Sequence, residues 1–336
     1  MPSCVWTPQD HIKVINMVEV RCRGNATEAA RKLGIPPTTM RSRYEAARTW
    51  RDAHGHKPIA EKPPEVIEVL QQKPRVRMQV ASPTGTGYRV LAIGDAHDDP
   101  HIPKDRFRWF GKHAAKMKAD YVVQIGDWAT LDSLNTHIPN ETLQAKQKSP
   151  FIEDLSSLAE SIRELSAGLG EHSCRKVVTL GNHERRAWLY EDGNPESAGL
   201  LTGPLLSAFH SEGWETHPYG EIFYLGGVGF VHAALNRLGK TYGGKNAENT
   251  IANDAVHDLV IGHSHVARQI RQPKIGPYQH VTVLNLGCAL PHGHVEDYAR
   301  DALTGWTWGV YELLIRGGHI ESAKFVSMLE LESLYA

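Results

Sequence analysis

Five short clusters of ligand-type side chains punctuate the chain between residues 95 and 265. In order they are Asp95-Ala96-His97, Gly126-Asp127, Gly181-Asn182-His183-Glu184, His232 and Gly262-His263-Ser264-His265. Carboxylate, imidazole and amide oxygen in combination favour borderline cations such as Mn²⁺, Fe or Zn²⁺ over Ca²⁺. Each cluster alone says little. A single loop Asp or His is usually a cap or a solvated turn, and Gly-Asp is common anywhere. The set is informative because the clusters follow one another, each behind a short apolar run.

Those runs are the elements that must position the ligands. Val90–Ile93, Tyr121–Ile125, Val177–Leu180 and Leu259–Ile261 each end in glycine or lead straight to one, and such runs read as strands buried on both faces. Helices are expected over Lys104–Ala119 and Phe151–Gly168, which makes the body an α/β sheet. In open α/β sheets, ligands gather beyond the carboxyl ends of the strands, so clusters far apart in sequence are expected to converge. Glycine ahead of a ligand is expected to let the backbone turn sharply out of the strand. Late apolar runs near 281–286, 306–315 and 319–327, with no helices between them, predict a second, more mixed sheet.

The ordered set Asp-x-His, Gly-Asp, Gly-Asn-His-Glu, a lone His and Gly-His-x-His resembles the signature of the calcineurin-like metallophosphoesterases. The resemblance covers roughly residues 88–320. It implies an α/β fold of two mixed β-sheets sandwiched by helices, in agreement with the strand reading. It also implies a pair of divalent ions, Mn²⁺ first, with Fe or Zn²⁺ as alternatives. Asp95, His97 and His265 would hold one ion and Asn182, His232 and His263 the other, with Asp127 bridging. Two ions roughly 3.5–4 Å apart can clamp a phosphoryl oxygen and activate a water for in-line attack on phosphorus. By the same resemblance His183 binds no metal, and either protonates the leaving oxygen or stabilises charge on the phosphate. Family members orient that histidine with a carboxylate three residues after the Gly-Asp aspartate. Thr130 stands there in this chain, and Asp132 is the nearest later carboxylate. The Ser/Thr phosphatase branch carries an arginine just after that position. Leu131-Asp132-Ser133 replaces it here, which disfavours that branch. Arg185 and Arg186 read first as solvated helix residues and second as phosphate contacts. The basic, Gly-rich stretch 236–245 is either a loop that meets substrate phosphate or a plain surface loop.

Residues 1–52 read as three short helices. Thr7-Pro8 is an N-cap with proline at the first helical position, followed by an inward stripe of Val14, Ile15, Val18 and Cys22. A second helix, from about Asn25 to Leu33, is expected to bury Ala26, Ala29, Ala30 and Leu33. A third starts near Thr38 with Met40, Tyr44 and Ala47 inside. The stretch resembles a helix-turn-helix of bacterial and phage DNA-binding proteins. Thr38, Thr39, Arg41, Ser42 and Arg43 would then face a major groove. A three-helix bundle for protein docking or oligomerisation is the alternative. Residues 53–87, with five prolines, read as a linker, with an edge strand at Arg75–Val80, and the phosphoesterase body would span 88–336.

Composition narrows the field. The 336 residues are 41% hydrophobic and 22% charged, which excludes wholesale disorder. No apolar run approaches the ~20 residues of a membrane span. A signal-peptide pattern is absent because Asn16 and Glu19 break Val14–Val20. Four scattered cysteines lack a C-x-x-C pair and point to a reducing cytosol. Residues 1–88 carry 14 basic and 8 acidic side chains, while the remainder carries 23 and 30. A basic head on an acidic, His-rich body suggests two parts with different partners. The expected activity is phosphoester hydrolysis on DNA, as a nuclease or end-processing phosphatase recruited by the head. Head-plus-phosphoesterase chains of this kind resemble phage or prophage products, which places the protein in the cytosol of a bacterial host. A homodimer is a further expectation, since two-headed DNA binders are common. The alternatives are a small phosphodiester substrate such as a cyclic nucleotide, or a DNA-binding protein whose body is inert.

Overall fold

A computed structural model describes residues 7–55, 87–136, 141–275, 280–296, 299 and 305–336. Contacts divide the chain into two units, Met1–Lys73 and Pro74–Ala336. In the first, Thr7 opens α1 (Pro8–Ile15) through a capping box. The Asp10 N–H donates to Thr7 Oγ1, and the Asp10 carboxylate accepts from the Thr7 N–H. The stripe continues through a π-helical turn, Asn16–Arg21, that keeps Ile15, Val18 and Cys22 buried. The Asn25 side chain caps α2 (Ala26–Lys32), and α3 (Pro37–His54) ends at a left-handed Gly55. Val18, Cys22, Ala29, Ala30 and Met40 form a small core with Tyr44 packed against it. Leu33 departs from its expected place and is 46% exposed: α2 stops at Lys32, the chain reverses at Gly34 (φ 63°), and Ile35 packs against the core instead. The Tyr44 hydroxyl and Arg51 both donate to Glu19, tying α3 to the π turn. Of the expected linker only 53–55 and Gly87 are described, and the edge strand at Arg75–Val80 lies outside the described residues.

The second unit runs β1 (Tyr88–Ile93), α4 (Asp105–Lys116), β2 (Tyr121–Gln124), a short α5 (Leu143–Lys146), α6 (Phe151–Leu169), β3 (Arg175–Thr179), α7 (Asn182–Gly193), α8 (Thr202–Ser211), β4 (Trp214–His217), β5 (Phe223–Leu225), β6 (Val228–Phe230), α9 (Ala247–Asp254), β7 (Leu259–Ile261), β8 (Ala267–Pro273), β9 (His280–Leu286), β10 (Gly309–Arg316), β11 (His319–Ser327) and α10 (Met328–Tyr335). The strands form two mixed sheets, ordered β11-β10-β1-β2-β3-β4 and β5-β6-β7-β9-β8. Strand alternation builds the layers. In β1, Leu91 and Ile93 enter the core beneath the helices, while Val90 and Ala92 face the core between the sheets. In β9, Leu284 and Leu286 face that same core, and Val281 and Val283 pack with Ile251 and Ala252 of α9. Strands covered on both faces need apolar residues at every position, which is why they read as continuous runs.

One expectation is corrected. Of the three late runs only β9 joins the second sheet. The hairpin β10–β11 instead lies antiparallel along β1 and extends the first. The strands β4, β5, β6 and β8 were not predicted; three of them are short, and β8 is half-exposed with no continuous apolar run.

Helices α4 and α6 meet through two glycines. A methyl group at Gly168 would collide with the Arg108 carbonyl oxygen, and one at Gly111 with the Leu165 carbonyl oxygen. Gly168→Ala is therefore expected to lower stability by about 1–3 kcal/mol, although alanine is the better helix former. Urea denaturation of the whole chain measures this, and an unchanged midpoint would contradict so close a crossing.

Candidate metal centre

Strands β1, β2 and β3 are parallel, so their carboxyl ends share one edge and deliver Asp95, Asp127 and Asn182 there. Strands β6 and β7 are parallel in the other sheet and deliver His232, His263 and His265. The loops are laced together by main chain. Ala96 and His97 N–H groups both donate to the Asp127 carbonyl at 2.9 Å, and Gly262 N–H donates to the His232 carbonyl at 2.9 Å.

The glycines preceding the ligands serve mostly a different purpose from the one expected. Of Gly94, Gly126, Gly181 and Gly262, only Gly126 needs glycine's backbone freedom, with φ 96°. A Cβ at Gly181 would strike the Asp127 carboxylate, and one at Gly262 the Asp95 carboxylate. These glycines make room for ligand oxygens. The left-handed conformations fall on the ligands themselves: His97 (φ 42°), Asp127 (49°), His263 (71°) and His265 (59°). Non-glycine residues held there store backbone strain, which clusters at functional sites.

The seven expected metal ligands come together. Asp95, His97 and His265 form one group of donors lying within 4.8 Å of one another, and Asp127, His232 and His263 form another. His97 Nε2 is 3.0 Å from His265 Nε2, which in turn is 3.0 Å from Asp95 Oδ2. His232 Nε2 lies 2.9 Å from Asn182 Oδ1 and 3.2 Å from Asp127 Oδ2. His232 Nδ1–H donates to the Ile125 carbonyl at 3.0 Å, so a neutral ring turns the lone pair of Nε2 toward two oxygens that can only accept. A positive charge must sit among them, and the donor set therefore fits a divalent cation. Burial opposes the His232 imidazolium, but the carboxylates around it, Asp127 foremost with Asp95 and Glu184, together outweigh burial and lift His232 to about 9. Burial likewise works against the Asp127 charge, yet the imidazoles around it, His232 foremost, hold its carboxyl well below the usual range. All the ligand side chains are buried except Asn182, which is half-buried, and His263, which is exposed. The centre therefore opens to solvent on that side.

His183 stands beside the cluster, its ring edge-on to His97 with centroids 4.5 Å apart and its Nε2 3.9 Å from Asp127 Oδ2. Asp132, the expected orienter, does not hold it. His183 Nδ1–H donates to the main-chain carbonyl of Thr130 at 2.7 Å, while Asp132 faces Arg186 at 3.7 Å. A main-chain carbonyl thus makes the contact expected of a carboxylate. Arg186 is not a solvated helix residue. Its Nη1 donates to Thr130 O at 2.7 Å and its Nη2 lies 3.2 Å from His183 Nε2. Burial lowers the His183 pKa, and a neutral ring donating Nδ1–H to Thr130 turns its Nε2 lone pair toward Arg186. Arg185 is exposed, with its guanidinium 5.0 Å above the Tyr219 ring. In the stretch 236–245, Asn236 Oδ1 accepts from Leu238 and Lys240 N–H groups, and Arg237, Lys240 and Lys245 are exposed.

Two residues escaped the sequence reading. Glu184, fully buried, accepts N–H bonds from Gly181 (2.7 Å), Asp127 (3.0 Å) and Ala129 (3.2 Å), clamping two ligand loops together. Burial and the Asp127 charge push its carboxyl up to about 7. Trp128, next to Asp127, stacks on Phe107 and donates Nε1–H to Ser161 Oγ at 2.8 Å, anchoring the loop in the core. Glu184 could have been noticed as the last member of Gly-Asn-His-Glu. Trp128 had no signal beyond its size. In the N-terminal unit, Thr38, Arg41, Ser42 and Arg43 are exposed on α3, Thr39 is half-buried, and Arg41 reaches Thr27 Oγ1 at 3.4 Å.

Residues 88–273 match the family model of the calcineurin-like phosphoesterases. The match spans more than half of the chain, which belongs to that family. Among solved structures, TT1561 of Thermus thermophilus is similar at 12% identity and a TM-score of 0.31, over 72% of this chain and 100% of that one. Vps29 complexed with Zn²⁺ from Entamoeba histolytica aligns at 14% identity and a TM-score of 0.30, over 71% and 99%. Vacuolar Protein Sorting 29 from Cryptosporidium parvum aligns at 19% and 0.32, over 72% and 99%. No curated protein matches the chain.

Glu184→Ala would strand three buried N–H donors. The expected loss is at least about 3 kcal/mol of unfolding free energy, together with weakened Mn²⁺ uptake, read by denaturation and by metal titration. Wild-type stability would refute the clamp.

Proposed function

We propose that the protein hydrolyses phosphoester bonds at a two-ion centre and that its natural substrate is DNA, bound through the N-terminal helices. The observation that carries the first part is the crowding of electron-pair donors around Asp127, which only positive charge can hold together. Asp95, His97 and His265 would hold one ion and Asn182, His232 and His263 the other, with Asp127 placed between the two sets. Divalent ions there, Mn²⁺ first, polarise phosphoryl oxygens and lower the pKa of bound water. The chain's own groups do the rest. The N-terminus of α7 faces the site, and its His183 N–H donates to Asp127 Oδ1 at 2.9 Å. The neutral His183 and the adjoining Arg186 guanidinium favour charge stabilisation over proton donation as the role of His183, with Arg186 supplying the fixed charge.

A nucleotide-containing substrate is supported by aromatic faces near the ligands. Trp306 lies 4.2 Å from the His265 ring, and Tyr219 lies 6.3 Å from His232. DNA is favoured by the exposed Thr38, Arg41, Ser42 and Arg43 on α3 and by nine basic against five acidic residues in 1–55. The acidic body, with 30 acidic and 23 basic residues after position 88, supports the second reading, a small phosphodiester such as a cyclic nucleotide. The presence of every expected ligand argues against an inert body. A homodimer, and a cytosolic setting in a bacterial host for a phage-borne gene, belong to the same proposal. No described helix is long and apolar enough to cross a membrane.

Incubation with Mn²⁺ and labelled single- and double-stranded DNA, across ends, nicks and gaps, tests the substrate. Cyclic nucleotides that outcompete DNA would favour the second reading. His183→Ala and Arg186→Ala are each expected to keep the metal yet lose ~10²–10³-fold in kcat, and wild-type rates in both would overturn the mechanism. Arg41→Ala and Arg43→Ala are each expected to reduce the slope of log K for DNA against log salt by about 0.9. Unchanged slopes would remove α3 as the DNA-binding face.

A further inference from the structure

We infer that Glu296 is a positioning residue for His97, an inference that rests on the metallophosphoesterase reading above. His97 is 1% exposed and turns Nε2 into the donor cluster, 3.0 Å from His265 Nε2. A neutral imidazole that offers Nε2 to a cation carries its proton on Nδ1. Nδ1 of His97 is buried and makes no hydrogen bond among the described residues. The corresponding nitrogens of two neighbours are already anchored on main-chain carbonyls, His232 on Ile125 and His183 on Thr130. For His97 the acceptor that faces Nδ1 is a carboxylate, Glu296 Oε1, at 4.0 Å.

Glu296 lies in the segment after β9, beyond the stretch 88–273 that matches the family. Its side chain is 14% exposed, so it sits at the edge of the site with rotatable bonds enough to close the ~1 Å to hydrogen-bond range. It faces the side of the ring away from the donor cluster, so it orients the ligand without being one. Its charge also acts on Arg106 and Arg186. A carboxylate behind a metal-binding histidine fixes the ring and raises its basicity, and losing such a partner typically weakens metal binding ~10–100-fold.

The test is Mn²⁺ affinity, titrated by the electron paramagnetic resonance of free Mn²⁺, in the full chain and in Glu296→Ala, Glu296→Gln, His97→Ala and the double variant His97→Ala/Glu296→Ala, each with its melting temperature. Glu296→Ala is expected to weaken Mn²⁺ binding ~10–100-fold at an unchanged melting temperature. Glu296→Gln, whose amide oxygen still accepts, is expected to keep most of the affinity. In the His97→Ala background, removing Glu296 is expected to change nothing further. Wild-type affinity in Glu296→Ala, or an equal loss with and without His97, overturns the inference alone. Wild-type protein that takes up no Mn²⁺ overturns the metal reading and this inference with it.

Discussion

Asp127 is a carboxylate only 2% exposed, and everything near it is arranged to tolerate that burial. A charge in so buried a place is costly unless opposite charge is close. Among the charged and titratable groups around it, His232, His183 and His97 lie within 4 Å of its carboxylate. The same crowding turns acceptors toward acceptors at His232, Asn182 and Asp127. Metal binding and the fold are therefore linked: the scaffold must force these groups together, and an ion relieves what the scaffold imposes.

The forcing is done by main chain. Two parallel arrays of strands, one from each sheet, end at the same place, and the ligand loops are laced by N–H bonds to the Asp127 and His232 carbonyls. Four ligands accept left-handed backbone conformations, and the compensation lies beneath them. Glu184 gathers three N–H groups from two loops, and Trp128 plugs the loop after Asp127 into the aromatic core with Phe107, Phe209 and Trp214. Asp98, directly after a ligand, is held by Lys104 and by Ser157. Strain at the ligands is thus carried by buried, satisfied polar groups, the arrangement in which a low dielectric strengthens hydrogen bonds instead of penalising them.

The N-terminal unit is built on a different scale. Its core is five small or medium side chains, and its stability leans on caps and on the Glu19 contacts to Tyr44 and Arg51. Such a unit spends little of its surface on its own core and leaves most of α3 exposed.

The amino-acid sequence by itself determined the candidate ligand set, four of the strands that carry it (β1, β2, β3 and β7) and, to within three residues, the long helices α4 and α6, because apolar runs and ligand-type side chains are local features. It also carried the Thr7 cap, whose chemistry is complete within four residues. What only the tertiary structure decided are relations that leave no side-chain signature. The orienter of His183 is a backbone carbonyl, so the search for a carboxylate led to Asp132. Arg186 looks like any helix-surface arginine until α7 is seen against the Thr130 loop. Gly181 and Gly262 are needed for the oxygens opposite them, which lie more than 50 residues away in sequence. The hairpin β10–β11 joined the first sheet because the free edge of β1 lay there to be paired. Strand pairing is set by which hydrogen-bonding edges meet in space, and periodicity along the chain does not record that.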